Sequence, residues 1–183
     1  VSWDQSIFYA INGLAGHSMV IDEFMLLFAK PSSLWIPLGL IVAFMLWRDW
    51  RETVVVVPTM TVLFLLSDLI GAQVKHLVAR PRPCHVLTDI HQLVGCGGTF
   101  SFPSNHALNT AAAAAFAQIL YPATGWITWP IVAVVGFARV YVGAHYLTDV
   151  FGAWVIGVSC GVAAAWLLRT ARSRFRPRHL PTT

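Results

Sequence analysis

The stretch whose reading decides the fold is residues 124–168, TGWITWPIVAVVGFARVYVGAHYLTDVFGAWVIGVSCGVAAAWLL. Two apolar runs, 124–142 and 149–168, each reach the length of about 17–25 residues that a helix needs to cross a bilayer. They are continuous and not alternating, so they read as helices and not as strands of a membrane barrel. Near their junction sit Arg139, His145 and Asp149. On a helix, the four-residue spacing of His145 and Asp149 puts both side chains on one face, within reach of each other. A carboxylate there can hold one ring nitrogen and leave the other as a free lone pair, which is a nucleophile. Arg139 could hold an anion in front of that nitrogen, with Gly143 letting the chain turn. Taken alone, a His–Asp pair at this spacing is better explained by a simple hydrogen bond, so the rest of the chain has to decide.

Composition places the whole chain in a membrane. Hydrophobic residues make up 57% and charged residues 11% of 183, against about 45–50% and about 25% in soluble domains, and the mean hydropathy is +0.66. Further apolar runs cover 32–47, 53–74 and 105–122, the second interrupted by Pro58 and Asp68 and the third rich in alanine. Small residues of that kind let membrane helices pack closely. Residues 1–15 carry apolar positions 3, 7, 8, 11 and 14, the pattern of an amphipathic helix lying in the interface. Residues 18–29 are short for a span and hold Asp22 and Glu23. The expected fold is therefore all-α: a polytopic membrane bundle of six transmembrane helices, five clear and a sixth at the N-terminus. As one domain over 1–183 it divides into an N-terminal hairpin (1–30), a core (53–168), which the resemblance given below makes catalytic, and a basic tail (169–183). No cleavable signal peptide is visible, so the spans are expected to direct insertion.

Charge sets the orientation. Five of the twelve basic residues, Arg169, Arg172, Arg174, Arg176 and Arg178, lie in the tail, which reads as a cytoplasmic anchor beside anionic lipid and not as a nucleic-acid contact. Counting back from a cytoplasmic tail puts His145, Asp149, Arg139, Ser104, His106 and residues 75–104 outside, and the loop RDWRE (48–52) inside. Trp47, Trp50, Trp126 and Trp166 then form an inner aromatic belt.

Three polar clusters share the outer face: Lys75–Pro83 (KHLVARPRP), Pro103–His106 (PSNH) and residues 138–149. Lys75, Arg80, Arg82 and Arg139 are cations, His106 and His145 are acid–base groups, and Ser104 is a donor. Such a set suits a group with several negative oxygens, because arginine forks match phosphate oxygens in pairs and lysine acts as a point charge. Ser104 and Asn105, heading a helix, would add free backbone N–H groups. In this reading His145 attacks phosphorus, and His106 protonates the leaving oxygen and then activates water.

These spacings resemble a known family. Lys75 with Arg82-Pro83 fits KxxxxxxRP, residues 103–106 fit PSGH with one change, and Arg139, His145 and Asp149 fit SRxxxxxHxxxD with one change. The pattern is similar to the type 2 phosphatidic acid phosphatase superfamily, over residues 53–168. The resemblance implies six helices, metal-independent and cofactor-free hydrolysis, and a phosphohistidine intermediate. It makes His145 the nucleophile, Asp149 its orienter and His106 the general acid, with Lys75, Arg82, Ser104, Asn105 and Arg139 binding phosphate. Two residues depart from the pattern. Asn105 replaces glycine, so the turn must tolerate a side chain, and Ala138 replaces serine.

Other polar residues read less sharply. Arg80 is a solvated loop charge or a support for the site, and Asp68 supports a site cation or bonds a neighbouring helix. His85, His91 and Asp89 read as polar loop and not as a metal site. Tyr141 and Tyr146 read as interfacial anchors. Cys84 and Cys96 are either a disulfide or two free thiols, and Cys160 is packing.

The expected function is that of a lipid phosphatase at the outer surface of a bacterial inner membrane. Its substrate would be a phosphorylated lipid, with undecaprenyl diphosphate first and phosphatidylglycerol phosphate, phosphatidic acid or lipid A 1-phosphate as alternatives. No obligate protein partner is implied. The competing classes are an anion transporter and a non-catalytic lipid-binding relative.

Overall fold

The computed structural model describes residues 2–30 and 35–175. Among the described residues eight α-helices follow one another: α1 (Trp3–Asn12), α2 (Met19–Ala29), α3 (Trp35–Arg48), α4 (Trp50–Val78), α5 (Pro83–Val86), α6 (Asn105–Leu120), α7 (Gly125–Tyr141), preceded by a 3-10 turn (Pro122–Thr124), and α8 (Leu147–Phe175). No strand forms among the described residues. Among the described residues three helical stretches are long and apolar enough to cross a membrane, Trp50–Val78, Pro122–Tyr141 and Leu147–Arg174, and the apolar part of α3 is shorter. The chain is a polytopic membrane helix bundle.

Helix α6 sits at the centre, and its alanines explain why. Ala107, Ala111, Ala112, Ala114 and Ala115 are buried, and α8 meets them with glycines. A Cβ on Gly157 would lie 2.3 Å from the Leu108 carbonyl oxygen, and one on Gly161 would lie 2.3 Å from that of Ala112. Only glycine permits this approach, which brings the two backbones together along their length.

The bundle has two chemically distinct ends. At the far end, Glu52 accepts from the hydroxyl of Tyr121, the C-cap of α6, at 2.5 Å and pairs with Arg172 at 3.0 Å, joining α4 and α8 to the end of α6. Trp47, Trp50, Trp126 and Trp166 are exposed toward this end. Only Asp49 separates α3 from α4, so the expected five-residue RDWRE loop is mostly helix; Asp49 caps α4 by accepting from the Glu52 N–H. The basic tail is helix as far as Phe175, and Arg176 and Arg178 lie outside the described residues.

The N-terminal hairpin closes the other end. Ser2 and Gln5 form a capping box that starts α1. Its buried line is Asp4, Phe8 and Asn12, while Trp3 and Leu14 are exposed. The inward face is thus rotated from the apolar stripe at 3, 7, 8, 11 and 14, because polar Asp4 and Asn12 have partners to satisfy inside. Asn12 donates to the carbonyls of His91 and Tyr141 at 2.7 and 2.8 Å. Helix α2 reaches the end of α7 twice, through Asp22 to the Tyr141 hydroxyl (2.7 Å) and through the Ala29 carbonyl to Arg139 (2.7 Å).

Candidate active site

Three helix ends converge opposite the tryptophan belt. Helix α4 stops at Ala79, whose left-handed backbone (φ 48) sends Arg80 and Arg82 back over the bundle. The loop before α6 folds onto this turn, with Ser101 N–H bonded to the Arg80 carbonyl at 2.8 Å. The Lys75 ammonium donates to the Pro103 carbonyl, joining the first cluster to the second. Ser104 N–H donates to the Asp149 carbonyl at 3.2 Å, joining the second to the third.

His145 and Asp149 meet at a helix start and not along a helix. His145 precedes α8, and Asp149 lies in its first turn. The chain reverses at Gly143 (φ 82), and the Ala144 and His145 N–H groups return to the Arg139 carbonyl at 3.2 Å. Asp149 Oδ2 accepts from the Tyr146 N–H at 2.9 Å, one half of a capping box, and faces His145 Nδ1 at 3.6 Å. The other ring nitrogen, Nε2, faces Arg82 Nη1 at 3.5 Å. A guanidinium has no acceptor, so this arrangement leaves the lone pair on Nε2 and the proton on Nδ1, toward the carboxylate. His145 and Asp149 are both buried. Burial pushes the His145 ring down to about 3; the Asp149 carboxylate works against this, and the Arg139 and Arg82 charges reinforce it. The imidazole is therefore a neutral base at ordinary pH. Burial also lowers the Arg82 guanidinium, with Asp149 opposing.

The cations are gathered without matching anions. Arg80 is compensated twice, by Asp149 and by Asp4, each at 2.7 Å. Among the described residues Lys75, Arg82 and Arg139 have no carboxylate at ion-pair distance. Lys75, Arg82 and Arg139 act electrostatically on His106, and Arg82 and Arg139 act on His145. Arg82 Nε, Arg139 Nε, Ser104 Oγ and His106 Nε2 are buried with no protein partner. Buried donors of this kind are costly unless something accepts from them, and an oxyanion with several lone pairs suits them.

Several expectations change in detail. Ser104 does not offer a free backbone N–H, since that group bonds the Asp149 carbonyl; the groups ahead of the helical ladder belong to 105–107, the first ladder bond being Leu108 N–H to the Ser104 carbonyl. Asn105 occupies no strained turn. It starts α6, and its amide donates to Asp68 at 3.1 Å, alongside Asn109 at 3.0 Å. Asp68 thus bonds a neighbouring helix and no site cation. Arg80 is no solvated charge, being held by two carboxylates and stacked 4.0 Å above the Tyr146 ring. Tyr141 and Tyr146 are buried against the N-terminal hairpin and are not exposed anchors.

Cys84 and Cys96 form a disulfide. With His85 they are the group among the described residues whose atoms could hold a metal, but the disulfide takes both thiols. Sequence reasoning missed Asp4 and Thr148, which join Arg80 beside Asp149. The signal for Asp4 was its four-residue spacing from Phe8 and Asn12.

The sequence profile of the PAP2 superfamily matches residues 53–173. A lipid A 4'-phosphatase of Porphyromonas gingivalis is 26% identical over 181 residues, spanning 94% of this chain and 75% of that protein. The undecaprenyl-diphosphatase BcrC of Bacillus subtilis is 28% identical over 162 residues, spanning 85% and 79%. A crystal structure of a transmembrane PAP2-type phosphatidylglycerolphosphate phosphatase from Bacillus subtilis has a TM-score of 0.64 at 26% identity, covering 97% of this chain and 90% of that one.

Proposed function

The chain belongs to the PAP2 superfamily, and on that premise we propose that it dephosphorylates a membrane lipid through a phosphohistidine on His145. The observation that carries the reading is the His145 ring, its Nε2 turned toward Arg82, with Arg82 and Arg139 acting on it and Lys75 acting with them on His106, none of the three cations having a carboxylate at ion-pair distance among the described residues.

Lys75, Arg82, Arg139, the Ser104 hydroxyl and the first N–H groups of α6 hold the phosphate oxygens and absorb charge as it spreads in the transition state. Nε2 of His145 forms a bond to phosphorus while the bond from phosphorus to the leaving oxygen breaks. His106 gives that oxygen a proton, releasing a lipid alcohol from a monoester or a lipid monophosphate from a diphosphate. His106, now neutral, takes a proton from water as the water oxygen attacks phosphorus. The P–N bond breaks, inorganic phosphate leaves, and His145 and His106 return to their starting states. Asp149 steadies the imidazolium charge that develops on His145. The reading calls on no metal or cofactor, because the chain's own cations do the charge neutralisation. It takes residues 53–168 as the catalytic core and 1–30 as its cover.

The site would face the outside of a bacterial inner membrane, since Arg169, Arg172 and Arg174 belong to the opposite end of the bundle and favour the cytoplasm. That side suits undecaprenyl diphosphate, a carrier whose diphosphate is exposed there, and the BcrC relative supports the same choice. The deciding experiment is phosphate release by purified protein in detergent with a chelator present. It offers undecaprenyl diphosphate, phosphatidylglycerol phosphate, phosphatidic acid and lipid A phosphates in parallel. The expected result is vanadate-sensitive release, fastest from undecaprenyl diphosphate. Faster turnover of another lipid would move the substrate and keep the chemistry. Release from none would overturn the reading in favour of a binding or transport protein.

A further inference from the structure

The carboxylate behind His145 is held by a chain of contacts that ends on α1. Asp149 has no solvent access. Its Oδ2 meets the Tyr146 N–H and the His145 ring, and its Oδ1 accepts from Arg80 Nη1 at 2.7 Å. Arg80 is gripped from the other side, where Nη2 donates to Asp4 Oδ2 at 2.7 Å and Nη1 also donates to Thr148 Oγ1 at 2.6 Å. Asp4 is only 4% exposed and also accepts from the Thr148 hydroxyl and N–H at 2.5 and 3.3 Å. Asp4 lies well before residues 53–173, which the superfamily profile matches.

We propose that Asp4 is a positioning residue for the reaction, acting through Arg80 to set the Asp149 carboxylate and hence the aim of His145 Nε2. The inference rests on the His145–Asp149 reading above. The reason lies in guanidinium geometry. Arg80 presents its two terminal nitrogens to two different carboxylates, so only one of them, Nη1, reaches Asp149. Remove the charge of Asp4, and the freed nitrogen finds its best partner in Asp149 itself, because an arginine fork favours two parallel bonds to one carboxylate. Oδ2 would then turn from the His145 ring toward Arg80. A nucleophile displaced by about 1 Å can lose on the order of 100-fold in rate. Helix α1 is on this account part of the catalytic apparatus and not a surface ornament.

The test is a double-mutant cycle between Asp4→Asn and Asp149→Asn. Both proteins and their combination are purified in detergent and assayed for kcat and KM on the panel lipid that the wild type turns over fastest. The expected result is a kcat loss in Asp4→Asn on the order of 10- to 100-fold with KM within about twofold. In the Asp149→Asn background the further loss should be less than about twofold, since the group being positioned has already gone. An unchanged kcat in Asp4→Asn would overturn the proposal, as would an effect confined to KM. So would an equal loss in both backgrounds, which is what a simple folding defect produces. Should the wild type release no phosphate and Asp149→Asn change nothing, the phosphatase reading itself would fall, and the inference with it.

Discussion

Nε2 of His145 and Nη1 of Arg82 face each other across 3.5 Å, so the lone pair and the guanidinium fork open onto the same space. On the proposed reading, a phosphoryl group entering there would be gripped by one and attacked by the other. His145→Ala should therefore lower phosphate release by on the order of 1000-fold or more, while the protein still retains lipid. The measurement is steady-state release beside lipid co-purification. In wild type, rapid alkaline quench with substrate should leave a phosphate-sized mass increment on the peptide holding His145. An unmodified peptide during turnover would contradict a covalent intermediate.

Arg82 is steadied by its own loop. Its guanidinium carbon lies 3.7 Å from where a Cβ of Gly97 would stand, and the disulfide ties Cys84, two residues after Arg82, to Cys96, next to Gly97. Arg82→Lys gives up the fork for a point charge, and at about 1.5–3 kcal/mol for a charged hydrogen bond kcat/KM should fall by roughly 10- to 100-fold. Cys84→Ser, with the arginine intact but its loop untied, should raise KM several-fold and change kcat less. Substrate titrations on the two variants separate these effects.

The contact between α6 and α8 has no room to spare. Gly157→Ala must push its new methyl group against the Leu108 carbonyl, so the helices have to separate, at about 1–3 kcal/mol for overpacking. The melting temperature in detergent should drop. Gly98→Ala is the control, since no atom lies within 4 Å of its would-be Cβ, and its melting temperature should stay at the wild-type value.

Protonation links His145 to stability. In the unfolded chain its ring takes a proton near the ordinary pKa of about 6.5, whereas in the fold burial delays this to about 3. Between those values the unfolded state binds the extra proton, so this residue's contribution makes the fold less stable as pH falls from roughly 6.5 toward 3. His145→Gln should show a shallower loss of melting temperature between pH 7.5 and 4.5 than wild type. Parallel slopes would mean that the buried ring does not resist protonation.

Much of this could be read from the chain alone, and the exceptions share a cause. The apolar runs marked α3, α4, α6, α7 and α8 to within a few residues at most ends, because a bilayer demands long continuous stretches whatever the tertiary contacts. The last helix runs past the apolar run to Phe175, with Arg172 and Arg174 in its last turn, where cations suit the negative end of the helix dipole. The four-residue spacing of His145 and Asp149 predicts a pair along a helix, and they meet instead at a helix start, where the capping contact from Tyr146 brings them together.

What the sequence by itself determined is the set of chemical groups and the end of the bundle they share: the order of apolar runs alternates the ends, and so puts Lys75, Ser104 and His145 at the same one. What only the tertiary structure decided is which of those groups are already compensated. Arg80 and Arg82 are two residues apart and look equivalent in the chain, yet one is neutralised by Asp4 and Asp149 while the other has no carboxylate at ion-pair distance among the described residues. Pairing between charges depends on distances of a few ångströms between segments as far apart as residues 4 and 149, and local periodicity carries no record of those distances.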